Sequence, residues 1–437
     1  MKIKSSINTF PFFYGYIIIF SGTVGVMLSA PGQTVGISVF TDYLIRDLEI
    51  SRDNLSLSYL IGTLLSSFAL TYAGKFYDKF GARVTSMLAG FFLGLALLYM
   101  SSLTYITPIL KRATNSNNSI LPTFILITVG FLIVRFFGQG TLTMSSKNMI
   151  MKWFEKKRGL ASAIMGIAIS FGFSYSPKIF DDLINAYGWQ SAWQYIGLFI
   201  SIIFVLFAFF TFRDNPQKYG LEPDGGIFVK DKKRSSKFKP NKDYTLREAK
   251  STYEFWIFNL TLSLQGLYVT ALTFNIVDIF FNAGLERNDA ILIFLPISVI
   301  AVIFQLGGGY LADFIKLKYL LIAKLLGMII SMVGLVFLSD GLPLYLIIFG
   351  NGVASGLFGV ISTVCWPRFY GTKYLGEISG FNMSWIVAGS AIGPFLFSML
   401  LNLSGDYSSS GILMLIISAV LLFLSFKIKN KNVIPSL

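Results

Sequence analysis

Long apolar runs alternate with short polar stretches along the whole chain. The runs fall at about 13–38, 54–74, 84–105, 121–143, 159–180 and 191–212 in the first half. In the second half they fall at about 255–280, 290–312, 319–338, 343–363, 377–401 and 410–427. Each approaches the roughly 20 residues that an α-helix needs to cross the hydrocarbon layer. They are too continuous for membrane strands of about 10 alternating residues. The pattern predicts an all-α membrane protein of about 12 transmembrane helices, divided six and six. The expected domains are a six-helix bundle over 1–212, a linker over 213–253 and a second six-helix bundle over 254–437. The N-terminal stretch "MKIKSSINTFPFFYGYIII" has lysines and an apolar run but no A-x-A-like cleavage site. It reads as a retained first span.

Composition supports a lipid-facing surface. The chain is 54% hydrophobic and only 13% charged, against about 25% charged in soluble proteins. The net charge of +14 is placed asymmetrically. Lys2, Lys4, Lys75, Lys79, Arg83, Lys147, Lys152, Lys156, Lys157 and Arg158 share one side with the linker cations, Lys316, Lys318, Arg368, Lys373, Lys427, Lys429 and Lys431. The opposite side has Arg46, Arg52, Lys111, Arg112, Lys178 and Arg287. The positive-inside rule then places both termini and the linker in the cytoplasm. It accounts for the charge without a nucleic-acid partner. The basic run 230–242 can lie against anionic headgroups, and Thr245–Lys250 reads as a short surface helix. Asn117-Asn118-Ser119, in an outer loop, is a glycosylation acceptor pattern only in a eukaryotic secretory route.

Histidine is absent and Cys365 is the sole cysteine, so no His-based zinc site, no disulfide within the chain and no cofactor are expected. No phosphate-binding Gly-x-x-x-x-Gly-Lys-Ser/Thr and no nucleophile elbow occur, which argues against an ATP motor and against an enzyme.

"GKFYDKFGAR", residues 74–83, concentrates charge and glycine between spans two and three. Gly74 admits a neighbouring helix, Gly81 permits a sharp turn, and Asp78 suits a helix N-terminus or a cation. Lys79 and Arg83 are candidates for interhelical pairs. "GYLADFIK" from 309, with Asp313, echoes it after span eight, as internal repeats in transporters do. The cluster reads as a switch that latches the two halves together.

Among side chains at membrane depth, Arg135 stands out: it lies about three residues past the centre of span four, and such a charge is usually functional. No carboxylate accompanies it, so carbonyls, amides such as Gln139, water or an anionic substrate must meet it. Gln33, Gln265, Asn275, Gln305 and Asn351 are uncharged polar candidates, and Tyr59, Tyr175, Tyr268 and Trp385 are candidate cavity walls. Asp278 lies near the outer end of span seven, and Lys178, Asp181 and Asp182 cluster at that of span five.

Gly74-x-x-x-Asp78-Lys79-x-Gly81-x-Arg83 resembles the loop signature of the major facilitator superfamily. Arg135-Phe-Phe-Gly138-Gln-Gly140 resembles its second motif, and "WFEKKRGLASA" (153–163) with "GWQSAWQYIG" (188–197) also fits. The resemblance implies two six-helix bundles, a secondary transporter working by rocker-switch alternating access, and a small-molecule substrate with or without a coupled ion. A single chain would suffice, hence a monomer in the cell membrane. "APGQTVGISVF" (30–40) and "TLREAKSTYEFWIF" (245–258) look like the branch of monocarboxylate transporters and oxalate–formate exchangers, which implies an organic anion such as a monocarboxylate. The sequence departs from that branch at Gly32, where it has a lysine, and in lacking a cation in spans eight and eleven. Alternative readings are an exporter of amphipathic compounds and a transporter-like receptor.

Overall fold

A computed structural model describes residues 12–114, 120–225, 240 and 242–428. Lys2, Lys4, the Asn117-Asn118-Ser119 pattern, most of the basic run 230–242, Lys429 and Lys431 lie outside the described residues. Among those described, eleven helical segments are long and apolar enough to cross a membrane. One of them, Arg52–Ser101, is 50 residues long and is broken at Gly81, where φ is 82°. Counting it as two gives twelve spans. They are α1 (Gly15–Gly32), α2 (52–80), α3 (82–101), α4 (Leu121–Trp153), α5 (Arg158–Tyr187), α6 (Trp189–Thr211), α7 (Tyr253–Asn282), α8 (Phe294–Ala312), α9 (Leu317–Val336), α10 (Leu342–Tyr370), α11 (Leu375–Ser404) and α12 (Ser408–Ser425). Six precede the linker and six follow it.

Large apolar side chains on the outside, among them Phe68 and Phe281 at 73% and 79% exposure, fit a hydrocarbon solvent. Within the fold, α9 lies along α10, α7 along α11 and α1 along α4. The halves meet where α11 packs on α2, and where α8 and α10 pack on α5.

Two local predictions need correction. Residues 74–83, expected between spans two and three, belong to the helices themselves: helical geometry runs through them and is interrupted only at Gly81. The first span is not one helix to 38. Regular helix ends at Met27, followed by a 3-10 turn at Ala30–Gly32 and a new helix at Thr34–Ser38. Pro31 has no N–H to continue the ladder; the turn closes on the Ser29 and Ala30 carbonyls, the next helix starts on the Gln33 carbonyl, and the Gly32 carbonyl between them turns to another partner.

The linker clamps both halves. Asp224 accepts hydrogen bonds from the backbone N–H groups of Glu155, Lys156 and Lys157 at 3.1, 2.7 and 3.0 Å. Asp243 accepts from Thr372 and Lys373 at 2.9 and 3.2 Å. The expected short helix is present at Leu246–Lys250 and is closed by a capping box. Lys242, at 2.6 Å, and the Thr245 N–H and hydroxyl hold the Glu248 carboxyl down at about 2.

Candidate functional site

Arg135 sits where α4 changes geometry. The helix is α-helical to Val134 and widens to π-type bonding over Arg135–Leu142, an irregularity often found at functional positions. The side chain is fully buried. Its Nη1 donates to the Gly32 carbonyl at 3.1 Å and to Thr34 Oγ1 at 3.4 Å. Both acceptors are supplied by the break in α1. The guanidinium also lies over the Tyr59 ring, 5.1 Å from its centroid, and Tyr59 OH is 2.9 Å from Thr34 Oγ1. Among the described residues, Nε and Nη2 of Arg135 have no hydrogen-bond partner. Gln139 is not a partner, and its own Oε1 is unpartnered as well.

Gly32 touches α4 backbone to backbone. A Cβ there would lie 2.7 Å from Gly138 Cα and 2.8 Å from the Val134 carbonyl oxygen. Gln33 reinforces the contact through Ser29 Oγ and Thr143 Oγ1 at 3.0 and 3.2 Å.

A second constellation joins the halves at their basic end. Asp78 accepts from the N–H groups of Gly376 and Glu377, at 2.7 and 2.8 Å, at the start of α11. Asp313 accepts from Gly159 and Leu160, at 2.8 and 3.2 Å, at the start of α5. Carboxylates are stabilised at such positions by free N–H groups and the helix dipole. Burial raises the Asp313 carboxyl above the ordinary range, while the two N–H bonds and Arg368 pull against that rise. Arg368 holds the turn carrying Asp313 by donating to the carbonyls of Ala312 and Ile315. A Cβ on Gly74 would lie 2.1 Å from the Gly376 carbonyl oxygen, so this glycine is what lets Asp78 reach.

Around these carboxylates lie Lys75–Glu377 at 3.5 Å, Asn148–Ser379 at 2.6 Å and Thr71–Ser384 at 3.4 Å. Arg83 and Lys79 do not form the interhelical ion pairs expected of them. Arg83 donates to the Phe212 carbonyl at 3.1 Å, and Lys79 lies over the ring of its neighbour Phe80.

The other candidates are dispersed. Tyr268 is buried, with its hydroxyl 2.8 Å from Ser331 on α9, so it is part of the second bundle's core rather than a cavity wall. Asn275 Nδ2 bonds back to the Ala271 carbonyl at 3.0 Å on its own helix. Gln305 is buried against Gly166 of the other half and Gly359. Trp385 lies beside Trp256 and Phe381 in a lateral groove between α2 and α11, away from Arg135. Gln265 and Asn351 both bond Ser355. Asp278 accepts from Tyr407 OH at 2.5 Å, and Lys178 pairs with Asp182 at 2.5 Å on the surface.

Arg135 is not the sole deep cation. Lys324 on α9 is fully buried, donating to the Thr261 carbonyl at 3.3 Å and contacting Met328 Sδ at 2.9 Å. Its signal in sequence was one cation within "LLIAKLLGMII". The run is bordered by Lys316 and Lys318, so Lys324 reads easily as one more flanking charge. Among the described residues, the buried Asp, Glu, Lys and Arg side chains are all basic ones: Arg135, Lys152, Arg158, Arg213, Lys324 and Arg368.

Solved transporters share this architecture. The E. coli fucose:proton symporter superposes with a TM-score of 0.64 at 14% identity, covering 95% of this chain and 99% of that one. The proton:xylose symporter bound to 6-bromo-6-deoxy-D-glucose gives 0.59 at 16%, covering 96% and 98%. The human organic anion transporter MFSD10 gives 0.63 at 14%, covering 94% and 99%. A curated relative, "MFS-type transporter 1" of Ophiocordyceps sp. (strain BCC 1869), is 30% identical over 138 residues, which is 32% of this chain and 26% of that protein. The sequence profile of the Major Facilitator Superfamily matches residues 19–394. With that match across most of its length and the corresponding twelve-helix fold, the chain belongs to the Major Facilitator Superfamily.

Proposed function

We propose that the protein is a secondary transporter of a small organic anion, that Arg135 draws the anion into the site, and that the Asp78 and Asp313 contacts close the cytoplasmic end in the state described above. In this reading the two bundles are the domains 1–212 and 254–437, with 213–253 as the linker between them. The observation that carries the anion reading is the buried guanidinium of Arg135, with two nitrogens unpaired and no carboxylate beside it among the described residues. Such a group favours an anion through charge-assisted hydrogen bonds, and Lys324 is a second cation buried within a span. The contacts between halves described above lie at the basic end, which fits a conformation open on the opposite side. The shortage of buried carboxylates favours anion exchange or facilitated diffusion over a carboxylate proton relay.

A branch-specific assignment to lactate or oxalate is not carried over. The position of the branch's lysine holds Gly32, where a side chain would meet the backbone of α4.

The test is uptake of labelled carboxylates into vesicles reconstituted with the purified protein, after a thermal-shift screen against carboxylates, sugars, amino acids and drugs has identified ligands by raised stability. Arg135→Gln is expected to lower anion uptake about tenfold or more, as loss of a charged hydrogen bond does, with an unchanged size-exclusion profile. Normal uptake by Arg135→Gln makes Arg135 structural. Ligands confined to neutral or cationic compounds overturn the anion reading.

A further inference from the structure

The lateral groove that holds Trp385 has a chemistry of its own. It encloses about 750 Å³ between α2, the linker helix Leu246–Lys250 and α11. Three cations line one end: Lys75 of α2, and Arg247 and Lys250 of the linker helix. The carboxylate among them is Glu377, 3.5 Å from Lys75. Lys75 is more than half exposed, Arg247 is exposed, and Lys250 lies over the Phe381 ring at 3.7 Å. The charge at this end is therefore positive.

The other end is mainly aromatic, with Phe68, Tyr72 and Trp385 on its walls and the Thr71 and Ser384 hydroxyls between them facing each other at 3.4 Å. Phe68 precedes Lys75 by seven residues, about 10 Å along a helix. Phe68 and Tyr72 are more than 70% exposed, and they lie on a helix that crosses the bilayer. The groove thus opens sideways to lipid, with its cations at the depth of the headgroups and its aromatic walls at the depth of the acyl chains.

We propose that this groove binds an anionic phospholipid of the leaflet at the basic end. The phosphate would rest among Lys75, Arg247 and Lys250, and one acyl chain would lie along Phe68, Tyr72 and Trp385. A free phosphate shares the headgroup chemistry but leaves the apolar wall unused, so the lipid is the better match. The site takes one wall from each half and one from the linker. A bound lipid bridges α2 to α11 beside the Asp78 contact and favours closure of this end. The proposal rests on the membrane-spanning fold and not on the identity of the transported solute, so it can fail without affecting the anion assignment.

The test uses the full chain in nanodiscs of phosphatidylcholine containing graded phosphatidylglycerol, with one lipid or the other brominated on its acyl chains. Trp385 emission is taken as the difference between the protein and its Trp385→Phe variant. Brominated phosphatidylglycerol is expected to quench Trp385 at about a fivefold lower mole fraction than brominated phosphatidylcholine, and the Arg247→Gln/Lys250→Gln double variant is expected to lose that preference. Native mass spectrometry of retained lipid gives the same comparison without touching Trp385. Equal quenching by both lipids, or a preference that survives in the double variant, overturns the proposal. Relief of quenching by inorganic phosphate at millimolar concentration assigns the site to free phosphate and overturns the lipid.

Discussion

Gly32 decides how Arg135 is held. The turn at Ala30–Gly32 aims a free carbonyl at the guanidinium, and α1 and α4 approach closely enough for that only because neither Gly32 nor Gly138 has a side chain. Gly32→Ala puts a methyl group 2.7 Å from Gly138 Cα and 3.0 Å from the Gln139 nitrogen. These are backbone atoms that cannot rotate away, and overpacking of this kind costs about 1–3 kcal/mol. The expected result is a lower thermal midpoint in detergent, with further loss for Gly32→Lys. An unchanged midpoint for Gly32→Ala would show that the close approach of α1 and α4 is not kept in solution. At this scale the sequence was legible in part. A lone arginine in an apolar run is visible without a structure. Its partners were not, because they lie about 100 residues earlier and depend on a helix break.

The elements that join the halves are α2 with α11 and α8 with α5, each closed by a carboxylate on a helix N-terminus. Replacing Asp78 or Asp313 by Asn keeps the shape but removes the charge, and one amide oxygen replaces two acceptors. A partly buried charge at a helix terminus is worth up to about 2 kcal/mol, so each variant is expected to shift the population towards the state open at the basic end by up to about 30-fold. Spin labels at Lys156 and Lys373, exposed on loops of opposite halves, would report the change as a growing long-distance population. Transport should slow more than substrate affinity falls. A fall in transport with the distance distribution unaltered would sink the latch. The repeat made this pair of carboxylates readable from sequence, because motif and spacing are local. The identity of the donating amides, at Gly376, Glu377, Gly159 and Leu160, was not readable, because the contacts span more than 150 residues.

For the whole molecule, the twelve spans and the crowding of Lys and Arg on one side predict where the ends lie. Lys218, after α6, and Asp406, between α11 and α12, are exposed at opposite ends of the fold. In a Cys365→Ser background, Asp406→Cys is expected to react with an impermeant reagent on sealed, right-side-out cells. Lys218→Cys should react only after permeabilisation. The reverse pattern would invert the topology and place the proposed lipid groove in the other leaflet.

The sequence by itself determined the number of spans, their division into six and six, the repeated acidic motif and the depth of Arg135. All four follow from run length, spacing or charge along the chain. Only the tertiary structure decided which face of each helix turns inward. A span that is apolar all round can present any face to lipid, because the bilayer and the protein interior are alike in polarity and periodicity does not mark the buried side. For that reason Tyr268 proved to be core, Trp385 moved to a lateral groove, and Lys324 emerged as a second cation buried deep within a span. The closure at the basic end was likewise decided by packing, since glycines far apart in sequence must meet before Asp78 and Asp313 can reach their helix ends.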